Sequence, residues 1–162
     1  MAMTPRGQVA DLRGALEVAE RRGELLRISR PVDPGLELPS ILKALGQLPS
    51  KPAVLFEQIV GYPGLRGCGG MFAERERVAD LLGLPQDRVS SKQTYLNALD
   101  NPINPVLVTT GPCKENIVTK GIDIKQLMFP TRGAQHVNHN YYQPVVILKN
   151  PLTGQVNASI YR

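Results

Sequence analysis

The chain has 162 residues, 42% of them apolar and 20% charged, and 19 Lys and Arg against 14 Asp and Glu give a formal net charge of +5. That length supports one ordinary core, and that composition excludes a disordered chain, although 14 Pro and 15 Gly point to short elements joined by many loops. No apolar run approaches the roughly 18 residues of a membrane span, and the start lacks the apolar centre of a signal peptide, so a soluble cytoplasmic protein is expected.

Taken in chain order, Leu12, Ala15, Leu16 and Ala19 recur at helical spacing between Asp11 and Arg22, with Gly23 as a stop. Glu24-Leu-Leu-Arg-Ile-Ser reads as a short strand closed by a turn at Pro31-Val-Asp-Pro34, because proline is disfavoured in a central strand. A helix over 37–45 follows, constrained by Pro39 to begin near that residue and ended by Gly46. Ala53 to Phe56 is a buried strand candidate, and the glycines of 61–70 form a turn into a strand around Met71-Phe72. That turn could cradle phosphate, yet it lacks both the dinucleotide fingerprint and the Gly-Lys-Ser/Thr of a P-loop.

A helix over 74–82 turns Val78, Leu81 and Leu82 inward and ends at Gly83, and another spans 92–99. Asn101-Pro-Ile-Asn-Pro105 is a rigid linker and the best domain boundary, separating 1–105 from 106–162. Beyond it come a strand at Val106 to Thr109, an extended stretch over 114–119, a short turn capped by Asp123 and ending near Leu127, and a polar loop over 130–140. Strand, turn and strand over 145–148, 150–154 and 156–162 make a hairpin. The order of elements fits an α/β (α+β) chain: an N-terminal mixed-sheet α/β domain followed by the first hairpin of a second, β-rich domain.

The positive charge is uneven. Residues 1–111 hold 13 basic and 12 acidic side chains, whereas 112–162 hold six basic against two acidic. A cationic tail suits a phosphate-bearing cofactor, an anionic substrate or nucleic acid, or is simply a solvated basic surface. Nucleic acid is the weakest of these, since the basic residues are spaced singly, without a zinc knuckle or an aromatic-rich strand.

Cys68 and Cys113 are too far apart for a metal knuckle and read as reduced, small hydrophobes. His136 and His139 are spaced to converge on a divalent ion, but without a carboxylate or thiolate beside them they read as hydrogen-bonding loop histidines. Asn157 offers a neutral oxygen suited to a hard cation and too weak to hold one alone, and it could equally cap a strand. Arg162 presents a planar fork for a carboxylate or a flavin carbonyl, or for a surface ion pair. These two lie five residues apart, on opposite faces of a regular strand, so a shared site requires a bulge or twist between them. Nothing else in the chain has the spacing of a catalytic triad or a paired carboxylate.

Several stretches in order carry a family resemblance: Arg22-Gly-Glu-Leu-Leu-Arg-Ile-Ser, Pro31-Val-Asp-Pro, Ala53-Val-Leu-Phe-Glu, Gly61-Tyr-Pro-Gly, Glu74-Arg-Glu-Arg-Val, Gly111-Pro-Cys-Lys-Glu, Asp123-Ile-x-x-Leu127-x-x-Pro130 and Asn157-x-x-Ile160-Tyr161-Arg162. Together they resemble the N-terminal portion of the UbiD family of prenylated-FMN-dependent decarboxylases. The resemblance implies that the closing hairpin begins a flavin-reductase-like split β-barrel. It implies that Asn157 helps bind a divalent metal, Mn²⁺ or Mg²⁺, bridging to the cofactor phosphate, with K⁺ also present, and that the backbone of Ile160 and Tyr161 lines the prenylated FMN. It gives Arg162 both a cofactor-side place and a catalytic one, positioning the substrate carboxylate within a Glu-Arg-Glu network. Family chains continue past this point, to a metal His and Glu and to both glutamates of that network.

The activity implied is reversible, non-oxidative decarboxylation of an aromatic or α,β-unsaturated acid, because departure of CO₂ leaves a carbanion equivalent that no side chain can hold. The implied partners are the acid substrate, a flavin prenyltransferase that supplies the cofactor, and further copies of the full-length chain. This segment alone is expected to be inactive. The alternative is a noncatalytic short subunit or scaffold module that associates with a larger chain, and an ordinary flavin-binding protein is a third reading.

Overall fold

The computed structural model describes residues 9–104, 106–128, 130 and 145–161. The elements are α1 (Leu12–Arg21), β1 (Leu25–Val32), α2 (Glu37–Gln47), β2 (Ala53–Ile59), β3 (Gly67–Gly69), α3 (Arg75–Leu82), α4 (Arg88–Asp100), β4 (Val145–Lys149) and β5 (Val156–Ile160), with 3₁₀ turns at Pro112–Lys114 and Ile124–Gln126.

β1, β2 and β3 form a mixed sheet in that order, β1 parallel and β3 antiparallel to the central β2. Alternation along β2 divides the core. Ala53 faces Ala15, Val18 and Ala19 of α1 and Leu81 of α3, while Val54 and Phe56 face Leu38 and the flanking residues of α2. Helices thus cover both faces of the sheet, and the run Ala53 to Phe56 is buried throughout, as a strand inside such a sandwich must be.

α1 begins where the Asp11 carboxylate accepts the Gly14 amide at 2.9 Å. Its buried side chains are Ala15, Val18 and Ala19, whereas Leu12 at the outer end of the stripe is 56% exposed. α2 starts two residues before Pro39, which occupies the first turn where its missing N–H costs nothing. Asp33 prepares that start: its Oδ1 accepts from Gly35 and Leu36, and its own amide donates to Glu37 Oε2 at 3.0 Å.

The structure departs from the sequence expectation in several places. β1 runs through Pro31 instead of ending before it, with a register shift between Ile28 and Pro31. The reason is that β1 is an edge strand, where a missing donor can face outward. The short strand lies inside the glycine stretch, at Gly67–Gly69, and Met71-Phe72 is a turn that buries Met71 and leaves Phe72 76% exposed. Leu82 is exposed, and in α3 the inward residues are Arg77, Ala79 and Leu81. α4 extends four residues further toward the N-terminus than 92–99, because Asp87 caps it through the Ser90 amide at 2.8 Å.

No strand forms at Val106 to Thr109, whose apolar side chains are exposed (Leu107 98%), nor is Lys114 to Thr119 a regular extended segment. Asp123 does open a short turn, with the Gln126 amide donating to its carbonyl. Met128, just beyond that turn, packs into the α2 side of the core, its methyl 3.7 Å from where a side chain on Gly67 would begin. The polar loop over 130–140 falls outside the described residues except for Pro130.

Candidate functional site

The hairpin that carries the sequence-derived site is built by its turn. Asn150 accepts the amides of Leu152 and Thr153 on its side-chain oxygen and exchanges backbone bonds with Gln155 and Gly154, closing the chain into an Asx-type turn. β4 and β5 then pair antiparallel without a register shift, Asn157 opposite Leu148 and Ile160 opposite Val145. Period-two alternation places Asn157 and Ser159 on one face and Val156, Ala158 and Ile160 on the other.

Asn157 is exposed, and its amide nitrogen donates to Ser159 Oγ at 3.1 Å. That bond turns the carbonyl oxygen into the atom available to a cation. The donor set is partial: one neutral oxygen cannot hold a divalent ion without carboxylate or phosphate beside it, and no group of three or more His, Cys, Asp or Glu converges among the described residues. Ile160 ends β5 with 65% of its surface exposed, and Tyr161 follows it, 55% exposed. The bulge required between Asn157 and Arg162 does not occur within Asn157–Ile160, where pairing is one for one. Arg162 itself lies outside the described residues, as do His136 and His139.

The glycine stretch has a packing role. A Cβ on Gly69 would sit 2.3 Å from Leu42 Cδ2, and Gly70, at φ +69°, would bring one within 2.8 Å of the Pro52 carbonyl oxygen. Glycine here lets α2 press on β3 and lets the chain turn in the left-handed region. Burial pushes the Cys68 thiol up from its ordinary range, which keeps it protonated, and Cys113 is exposed.

A charged group that the sequence reading did not single out lies at the centre of the fold. Arg77 is fully buried, donating to the carbonyls of Met71, Gly70 and Lys51 and to Glu24 Oε2 at 2.7 Å. Glu24 also takes Arg22, which in turn reaches Asp80, and the hydrogen bond from Arg22 is the main reason the Glu24 carboxyl is held below its usual value. The signal was available: Arg77 stands four residues before the inward Leu81, on the same helical face.

Residues 16–94 match the family model described as the 3-octaprenyl-4-hydroxybenzoate carboxy-lyase N-terminal domain. An uncharacterised protein from the cooM 5′ region of Rhodospirillum rubrum is 32% identical over 161 residues, covering 95% of this chain and 33% of the relative. A phenolic acid decarboxylase of Sedimentibacter hydroxybenzoicus is 32% identical over 124 residues, 73% of this chain and 26% of the relative. Among solved structures, the UbiD-class enzyme HmfF from Pelotomaculum thermopropionicum in complex with FMN superposes with a TM-score of 0.79 at 29% identity, over 92% of this chain and 33% of that one. An evolved dimeric form of HmfF in complex with prFMN gives the same TM-score and identity, over 92% of this chain and 34% of that one. The chain therefore spans between about a quarter and a third of the length of these relatives.

Proposed function

We propose that the protein containing this chain, which carries the N-terminal domain and the fold of the UbiD family, catalyses reversible, non-oxidative decarboxylation of an aromatic or α,β-unsaturated carboxylic acid with prenylated FMN. The observation that carries this reading is the likeness to HmfF, a UbiD-class enzyme seen with FMN and, in an evolved form, with prFMN. The phenolic acid decarboxylase among the sequence relatives supports an aromatic acid as the substrate class.

The cofactor would supply the electron sink for the bond to CO₂. The chain's own contribution is to hold and orient. Asn157 would give one neutral oxygen to a divalent metal, Mn²⁺ or Mg²⁺, which would also need anionic ligands from outside the described residues, with K⁺ as a second cation. The backbone at Ile160 and Tyr161 would border the flavin. The Arg162 guanidinium would bind the substrate carboxylate through two parallel hydrogen bonds, fixing the scissile bond against the cofactor. The excess of basic residues over 112–162 favours both the phosphate and the acid electrostatically.

The test is the complete protein co-expressed with a flavin prenyltransferase and assayed for CO₂ release from a panel of aromatic and conjugated acids. Turnover that depends on the prenyltransferase is expected. Arg162→Ala should retain the bound flavin spectrum and lose at least about a hundredfold in turnover, the scale of removing one positioned charge donor. Asn157→Ala should lower bound metal by elemental analysis. Absence of turnover together with stoichiometric association with a larger separate chain would establish the noncatalytic-module reading instead.

A further inference from the structure

Between the first turn of α1 and the loop leading into β3 lies a groove of about 390 Å³, within the range of small-molecule sites. Its floor is Leu55 of the central strand, 4% exposed, with Cys68 directly across in the β2–β3 register. Leu12 and Leu16, one helical turn apart on α1, form one wall, and Leu65 lies on the loop side. Leu12 and Leu65 remain 56% and 43% exposed, so the walls keep apolar surface in water.

The charges at the mouth are unbalanced. Arg66 is exposed and makes no hydrogen bond or ion pair among the described residues. Arg13 approaches only Asp11, at 3.9 Å, and that carboxylate already accepts the Gly14 amide as the cap of α1. Arg66 and Arg13, the latter with its side chain 85% exposed, therefore line a groove with an apolar floor and one carboxylate that is otherwise engaged. An inorganic anion would leave the leucines wet, and a neutral hydrocarbon would leave both forks without an acceptor. A molecule with an apolar body and one carboxylate satisfies both halves, since Arg binds a carboxylate with two parallel bonds.

We propose that this groove is a binding site for a small apolar monocarboxylate, with Arg66 and Arg13 taking the carboxylate and Leu12, Leu16, Leu55 and Leu65 taking the apolar body. None of these residues lies on β4 or β5, so the site is separate from the hairpin and stands whether or not the decarboxylase reading does.

The experiment is titration of the ¹⁵N-labelled 162-residue chain with phenylacetate, followed by amide shifts. A saturable response at Leu12 to Leu16 and Gly64 to Cys68 is expected, at least tenfold weaker in Arg66→Gln and at least tenfold weaker for the neutral isostere 2-phenylacetamide. In a Cys113→Ser background, saturating phenylacetate should also slow alkylation of Cys68. Arg66 is exposed, so its variant keeps the fold. No saturable response, equal affinity in Arg66→Gln, equal affinity for the amide, or the same shifts with inorganic phosphate would each overturn the proposal, as would binding only by a peptide and not by phenylacetate.

Discussion

Replacing Arg77 by Met would strand the carbonyls of Lys51, Gly70 and Met71 and leave Glu24 to Arg22 alone. A buried charge with its partners in place costs more to break than it contributes by forming, so a loss of about 3–5 kcal/mol is expected from urea unfolding. A loss below about 1 kcal/mol would show that water replaces the guanidinium. Glu24 adds a pH dependence of known sign. Its folded pKa is depressed, first by Arg22, so its stabilisation is present above the unfolded carboxylate value of about 4.3 and is lost as pH falls through the lower folded value. Glu24→Gln should therefore flatten the decline of the urea midpoint between pH 5 and 3. At Gly70, alanine meets a backbone oxygen in a left-handed conformation, whereas at Gly69 it meets the end of a leucine. Gly70→Ala should cost about 2–3 kcal/mol and more than Gly69→Ala, where Leu42 can shift.

At the scale of elements, α4 and the hairpin differ from the rest. α4 is capped by Asp87 but buries none of its side chains, and 13 residues of exposed helix are marginal in water. The β4–β5 hairpin exposes Val145, Ile147, Val156 and Ile160 on one face, and an isolated hairpin is no more stable than such a helix. β2, by contrast, is paired on both edges and covered on both faces. Amide hydrogen exchange should accordingly be orders of magnitude faster in α4, β4 and β5 than in β2. Asp87→Ala should speed exchange in α4 further without moving the main unfolding transition.

On the scale of the whole molecule, the buried hydrophobic residues among those described all fall between Ala15 and Leu81, with Met128 reaching back to join them. Apolar side chains from Ile103 to Leu127 remain more than half exposed, including Leu107 at 98% and Val106 at 85%. Extended apolar exposure of that kind is a common feature of surfaces that associate. Leu107→Ser should leave the free energy of unfolding within about 0.5 kcal/mol and lower any concentration-dependent association in sedimentation velocity. No helix among the described residues is long and apolar enough to cross a membrane.

Periodicity and punctuation in the sequence determined α1, α2, α3, the buried strand β2 and the hairpin around Asn150, because spacing, caps and turn residues act within a few positions of one another. The same local information made the mixed α/β architecture legible. Tertiary contacts decided the rest. Pro31 stays in β1 because that strand is an edge, and three residues of the glycine stretch become β3 because Leu42 packs where a side chain would stand. Val106 to Thr109 has strand-forming residues and no strand, since nothing pairs with it among the described residues. Arg77 is buried because carbonyls from two separate segments, at Lys51 and at Gly70-Met71, and one distant carboxylate converge on it, and a groove lined by two arginines exists only once α1 lies across β2 and β3. Such convergence joins residues up to about 50 positions apart, so it depends on the packed sheet, and the only local trace it leaves is that Arg77 shares a helical face with Leu81.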